Sequence, residues 1–142
     1  MKRKGELQTN ELKIQLARAL ADYDNLRKRV EREKEEFEKY ANLKLAIKLL
    51  PLLDVLREAQ KHIGDPGIAI TITQFEDALK SEGIEEIKVN PGEDFNPQLQ
   101  EAIEVVDDGK GKAKVKEVAL TGWRFTGGLV IRHARVKVTK KG

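Results

Sequence analysis

The chain has no cysteine, one serine (Ser81), one methionine, one tryptophan and two histidines (His62, His133) in 142 residues. Without cysteine there is no disulfide framework, no thiolate nucleophile and no Cys-ligated zinc. A serine triad would have only Ser81 to draw on, and two imidazoles are too few for a histidine-rich metal site. Aromatic residues make up 5% of the chain, so any core is mostly aliphatic. No apolar run approaches the roughly 20 residues of a membrane span. The basic opening Met1-Lys2-Arg3-Lys4-Gly5 is not followed by the apolar segment of a secretory signal. The expectation is a soluble cytoplasmic protein of one or two small domains, not an enzyme, with no cofactor and no metal.

What the chain does have is charge: Asp, Glu, Lys and Arg make up 36% of it, with a net charge of +3. That small net value hides a segregation. Residues 65–108 carry 12 acids and 2 bases, whereas residues 109–142 carry 10 bases and 1 acid. A basic C-terminal third suits a nucleic acid or an acidic protein surface. The alternative is that it lies beside the acidic middle in the fold.

From Glu6 to Leu50 there is no Pro and no Gly, and helix formers dominate. A series with alternating spacings of three and four runs Leu12, Leu16, Ala19, Tyr23, Leu26, Val30, Glu33, Phe37, Tyr40, Lys44, Ile47. Nine of these eleven are apolar, which is a coiled-coil stripe. Such a helix would be roughly 65 Å long, too long for a compact globule of this size. Its stripe calls for a second copy of the chain, or else for the helix folding back on its own chain. Pro51 predicts a break or kink, with a second helix from Pro51 to Ile63 whose apolar face includes Leu49, Leu52, Leu53 and Leu56. Gly64-Asp65-Pro66-Gly67 is strong punctuation. The segment Ile68-Ala69-Ile70-Thr71-Ile72-Thr73 alternates like a strand, yet Ile68, Ile72, Phe75 and Leu79 share a helical face. The expectation is a helix over 67–81, closed by Gly83.

Beyond Gly83 the texture is that of a small antiparallel β module. Strands are predicted over 84–89, 102–106, 113–121, 123–126 and 129–138. Asp108-Gly109 and Gly127-Gly128 read as hairpin turns. Asn96-Pro97 reads as a capped helical turn reaching about Glu101. Lys110, Lys112, Lys114 and Lys116 fall on one face.

No motif carries chemistry. Gly109-Lys110-Gly111-Lys112 lacks the spacing of a phosphate-binding loop, and there is no dinucleotide or zinc-protease signature. Carboxylate pairs such as Glu35-Glu36, Glu85-Glu86 and Asp107-Asp108 read as solvated faces or turns. The cluster Arg27-Lys28-Arg29 with Arg32 is either an ordinary solvated helix face paired with Glu31, Glu33 and Glu35 or a docking patch for an acidic partner. Trp123 is either a buried core residue or an interface anchor beside a hairpin tip.

Five blocks, in order, resemble the GrpE family, the nucleotide exchange factors of DnaK-type chaperones. They are Asp24-Asn25-Leu26-Arg27-Lys28-Arg29; Leu49-Leu50-Pro51-Leu52-Leu53-Asp54-Val55-Leu56; Gly83-Ile84-Glu85-Glu86-Ile87; Phe95-Asn96-Pro97-Gln98-Leu99-Gln100-Glu101-Ala102-Ile103; and Gly122-Trp123-Arg124-Phe125 leading to Arg132-His133-Ala134-Arg135-Val136-Lys137-Val138. There are departures from the family pattern. Gln100 stands where His is usual, Trp123 where Tyr or Phe is usual, and His133 where Pro is frequent. The hairpin after Phe125 is one residue longer, and Gly128 or Leu129 replaces a basic tip residue. The family's acidic N-terminal extension is nearly absent, which suggests a shortened form.

The resemblance implies an α+β homodimer. Residues 1–50 would form a parallel coiled coil, residues 51–82 a four-helix bundle across the dimer, and residues 83–142 a small antiparallel β domain. The implied dimer interface is Leu12, Leu16, Tyr23, Leu26, Val30, Phe37, Leu49, Leu52, Leu53, Leu56, Ile68, Ile72, Phe75 and Leu79. The implied partner is the ATPase domain of a DnaK-type chaperone, met near Trp123, Arg124, Phe125, Gly127, Gly128, Leu129 and Arg132, with Phe95, Asn96, Pro97 and Gln98 shaping the β domain. No membrane is involved. A nucleic-acid-binding protein using the basic C-terminal module is the alternative.

Overall fold

The computed structural model describes residues 1–140, leaving aside the side chains of Asp107 and Asp108. Lys141 and Gly142, the end of the expected β domain, and the carboxylates of the Asp107-Asp108 pair therefore lie outside the described residues. The architecture is α+β: two helices, α1 (Lys2–Ile63) and α2 (Pro66–Ser81), precede six strands. Packing divides the chain into two compact units, residues 1–42 and 43–142.

The first unit is helix throughout, apart from Met1. Its apolar stripe is exposed: Leu12, Leu16, Tyr23, Leu26, Val30 and Phe37 all lie open, Phe37 at 72%. The basic cluster here is compensated within the helix. Arg27 and Lys28 both reach Asp24 (3.1 and 2.8 Å), and Arg29 reaches Glu33 (3.6 Å). The Lys28 hydrogen bond, helped by Arg27, holds the Asp24 carboxyl below its ordinary range.

In the second unit α1 continues to Ile63, so the break expected as one outcome at Pro51 does not occur. The ring removes one donor from the helix ladder, at a cost of about 3 kcal/mol in a helix interior. Two features offset this. Pro51 lies on the exposed side, beside an exposed Ile47, the residue whose carbonyl loses its helical donor. On the opposite side Ala46, Leu50 and Leu53 are buried at spacings of four and three. Burying a leucine contributes about 1.5–3 kcal/mol, so Leu50 and Leu53 together outweigh the lost bond.

The helical reading of residues 67–81 holds. The Asp65 carboxylate accepts from the backbone N–H groups of Gly67 (2.7 Å) and Ile68 (3.1 Å), with Pro66 as the first helical residue. Thr71 and Thr73 fold their hydroxyls back onto the carbonyls of Gly67 and Ala69. This absorbs the polar groups that made the stretch resemble a strand. Gly83, at φ +73°, donates to the Lys80 carbonyl and ends the helix, a conformation that a Cβ would disfavour.

The strands form two small sheets. β1 (Ile84–Ile87), β4 (Gly122–Phe125) and β5 (Val130–Arg132) make one, antiparallel throughout, in the order β1-β4-β5. The expected hairpin at Gly127-Gly128 joins β4 to β5. β2 (Gln100–Asp108), β3 (Ala113–Leu120) and β6 (Ala134–Lys140) make the other, in the order β2-β6-β3.

Three expectations need correction. Asp108-Gly109 does not turn a hairpin, because β6 lies between β2 and β3. The second sheet is mixed, since β2 runs parallel to β6. The strand expected over 129–138 is split at His133, where the chain passes from one sheet to the other. β6 takes the centre because Ala134, Val136 and Val138 alternate inward and are buried with Val115. Its outward residues meet the acidic neighbours: Arg135 reaches Glu101 (3.4 Å), and Lys137 reaches Glu104 (3.7 Å) and Glu117 (3.6 Å). Part of the basic C-terminal third thus lies beside the acidic strand β2, while Lys110, Lys112, Lys114 and Lys116 are exposed.

The core under the first sheet joins α1 to α2 and β1. Ala46, Leu50, Leu53, Leu79, Ile84 and Trp123 are buried together, with Ile72, Phe75, Phe125 and Ile131 packed against them.

Candidate functional site

The chain crosses between the sheets at two adjacent places, Thr121 between β3 and β4 and His133 between β5 and β6. The backbones are nearly in contact there. A Cβ on Gly122 would stand 2.4 Å from the Ala134 nitrogen and 2.8 Å from its Cα, so only glycine fits.

Two arginines gather around this crossing. Arg132 forks onto Asp54 of α1 at 2.5 and 2.9 Å, and donates from Nε and Nη2 to the Thr121 carbonyl at 3.1 and 2.7 Å. Arg57, one helical turn beyond Asp54, donates to Glu76 of α2 (2.7 and 3.1 Å), Glu86 of β1 (2.9 Å) and the Thr121 hydroxyl (3.1 Å). Its guanidinium lies 5.4 Å from the Trp123 ring centroid, a cation–π contact. Burial disfavours the charge on Arg57, but the bonds from Glu76 and Glu86 together outweigh it and raise its pKa further above its ordinary value. Thr121 is bonded to both arginines, and nothing in its local sequence announces this.

The β4–β5 hairpin projects from this braced base. Phe125 N–H donates to the Leu129 carbonyl (2.9 Å) and Gly128 N–H to the Phe125 carbonyl (3.0 Å), with Gly127 at φ +72°. Thr126 ties the hairpin to the end of α2 by donating to the Gly83 carbonyl from its N–H (2.8 Å) and its hydroxyl (3.2 Å).

The residues expected near a partner divide into two groups. Gly127, Gly128 and Leu129 are exposed at the tip, Leu129 at 52%. Trp123 is instead a core residue, 3% exposed, whose indole N–H has no hydrogen-bond partner among the described residues. Arg132 is turned inward onto Asp54. Arg124 pairs with Glu85 across β1 (2.8 Å), and Phe125 is partly buried.

Residues 95–98 make a separate feature. The capped single turn expected from Asn96 forms, its carbonyl accepting from the N–H groups of Leu99 (3.1 Å) and Gln100 (2.9 Å), and it gives way to β2 at Gln100 rather than reaching Glu101. The Asn96 side chain accepts from the Gln98 N–H (3.0 Å), leaving Asn96, Pro97 and Gln98 exposed while Phe95 packs against the second core. Gln100, 5% exposed, accepts from the Asn96 N–H (3.1 Å) and donates to Glu93 (3.2 Å). It pins this loop.

Of the expected interface residues, Leu53 is fully buried and Leu79 nearly so within the chain's own core, with Ile72 and Phe75 half-buried beside them. Leu52 is exposed, whereas Leu49, Leu56 and Ile68 are half-buried. Among the described residues no cluster of His, Asp and Glu could hold a metal ion, and no helix is long and apolar enough to cross a membrane.

Comparison with known proteins gives a consistent result. The family model described as GrpE matches residues 2–140. A protein of Clostridium tetani named Protein GrpE is 40% identical over 133 residues, covering 89% of this chain and 65% of its own length. Its namesake from Clostridium perfringens is 39% identical over 144 residues, covering 97% of this chain and 68% of its own. The Coxiella burnetii protein of the same name is 35% identical over 144 residues, covering 94% and 70%. The chain thus spans about two thirds of the length of these relatives.

Proposed function

Because the chain belongs to the GrpE family, we propose that it is a cytoplasmic, homodimeric nucleotide exchange factor for a DnaK-type chaperone. The family match over residues 2–140 carries this reading. The β head would insert its β4–β5 hairpin into the nucleotide cleft of the chaperone's ATPase domain and hold it open, so that ADP leaves and ATP can rebind. Gly127, Gly128 and Leu129 would make the contact, backed by Arg124 and Phe125. Trp123 and Arg132 support the hairpin from within. Asn96, Pro97 and Gln98 form a second exposed edge of the head.

The factor itself breaks no bond. It acts by binding the open, nucleotide-free chaperone more tightly than the ADP-bound state. By reciprocity, nucleotide weakens its hold on the chaperone. Such work requires shape rather than a reactive side chain, in keeping with the scarcity of Ser, His and Cys.

The open stripe from Leu12 to Phe37 supports dimerisation, since a helix stripe of that length gains stability mainly by packing against a partner. The bundle formed by residues 51–82 would add Leu52 and other exposed residues. A nucleic-acid role is not favoured, because the family match covers the whole basic module up to residue 140, and Arg135 and Lys137 within it are engaged by Glu101, Glu104 and Glu117.

The test is release of a fluorescent ADP analogue from a DnaK-type chaperone. The expected result is acceleration by the wild-type chain, reduced about tenfold by Leu129→Asp if that contact is worth about 1.4 kcal/mol. Absence of acceleration by the wild type would overturn the reading. Light scattering should give the mass of a dimer.

A further inference from the structure

We infer that Asp54, Arg132 and Arg57 form a directional lock that fixes the angle of the β4–β5 hairpin to α1, and that these side chains are positioning residues for nucleotide exchange. The exchange part of this inference rests on the function proposed above. The lock itself stands on geometry.

The head is attached to α1 by two kinds of contact. The apolar cluster of Ala46, Leu50, Leu53, Leu79, Ile84 and Trp123 resists separation. Hydrophobic burial is non-directional, so it resists rotation or sliding of the sheet only weakly. The arginine forks have the opposite property, since a planar guanidinium paired bidentately with a carboxylate permits one orientation.

Arg132 closes the end of β5 onto Asp54 at 2.5 and 2.9 Å, while its remaining donors hold the Thr121 carbonyl ahead of β4. Both strands of the hairpin are therefore held at their base. Arg57 holds the same Thr121 through its hydroxyl and links α1 to Glu76 of α2 and Glu86 of β1. These side chains are shielded, with Asp54 22%, Arg132 20% and Arg57 24% exposed, so the pairs are less screened by solvent than the surface pairs along α1.

A hairpin that pries a cleft open must transmit load to its mount. If the base turns freely, the tip still binds but the cleft closes around it. Loosening the lock should therefore lower the maximal rate of ADP release more than it lowers affinity for the ADP-loaded chaperone.

The absence of cysteine makes the test direct. Nitroxide labels at Lys48→Cys on α1 and Gly128→Cys at the tip, spin-diluted with unlabelled chain, report the distribution of distances between helix and hairpin. In the otherwise unaltered protein the distribution should be narrow, and Asp54→Asn should broaden it. Arg132→Lys keeps the charge but loses the fork, and should broaden it likewise. This variant carries the measurement if Asp54→Asn does not fold. Glu101→Gln, which removes an exposed ion pair elsewhere, should leave it unchanged.

In the release assay, both lock variants should keep affinity for the ADP-loaded chaperone within about twofold while the maximal release rate falls about tenfold, a split expected when the open state alone is disfavoured. Distance distributions as narrow in both variants as in the wild type would overturn the lock. Equal losses of affinity and rate would overturn its positioning role. If the wild type itself fails to accelerate release, the proposed function falls, and the distance distributions still decide the lock.

Discussion

Trp123 shows how a residue's type can be legible while its role is not. A single Trp flanked by Gly122, Arg124 and Phe125 beside a hairpin suits a core residue or an interface anchor alike, and the structure places it in the core beneath Arg57. Its indole N–H makes no hydrogen bond among the described residues, so the nitrogen contributes little. Trp123→Phe keeps an aromatic face for Arg57 but leaves a small cavity, and should cost about 1–2 kcal/mol. Trp123→Ala should cost about 3–5 kcal/mol. Urea denaturation followed by circular dichroism separates the two. Gly122 is the reverse case, because its neighbour is a backbone. A methyl group there meets the Ala134 nitrogen and Cα, which cannot rotate away. Gly122→Ala should lower the unfolding free energy by about 1–3 kcal/mol, with the urea midpoint as the readout.

Among the elements, α1 and α2 were readable because helical periodicity and end signals are local. Asp65-Pro66 before α2 and Gly83 after it mark its ends, and the structure uses both. Pro51 does not end the helix, because a proline's local cost says nothing about the burial on the far side of the helix. Leu50 and Leu53 pack under the β head and keep the helix intact. Pro51→Ala should therefore be stabilising. It restores a donor to the Ile47 carbonyl in an already helical segment, for a gain of about 1–3 kcal/mol after the greater freedom of the unfolded chain is deducted. A thermal midpoint below that of the wild type would contradict this account. The strands were located to within a few residues, but their partners were not. Alternation marks Val136 and Val138 as inward without saying that β6 is central or that β2 runs parallel to it.

For the whole molecule, the two compact units differ in how they meet the cost of ordering. The second buries two cores, while the first presents an open stripe and exposed i,i+3 and i,i+4 pairs, each worth a few tenths of a kcal/mol. In the proposed dimer that stripe forms a two-helix seam, thinner than the head's core. Heating should first remove a reversible part of the helical circular dichroism while Trp123 emission is unchanged, with the head unfolding at higher temperature. One coincident transition in both signals would exclude this order. Val30→Lys should lower the first transition and leave the second in place.

The sequence alone determined whatever depends on neighbours along the chain: both helical regions, the punctuation before α2 and the glycine that ends it, the hairpin at Gly127-Gly128, and the scarcity of Ser, His and Cys. It also carried the ordered blocks that resemble GrpE. The tertiary structure decided what depends on distant partners. Arg132 and Asp54 are 78 residues apart, and Arg57 and Thr121 are 64 apart. No periodicity or spacing encodes such pairs, because a side chain's partner is set by which surfaces pack together. Arg132 therefore looks like a surface cation in the sequence, and only the folded chain turns it inward to hold the hairpin.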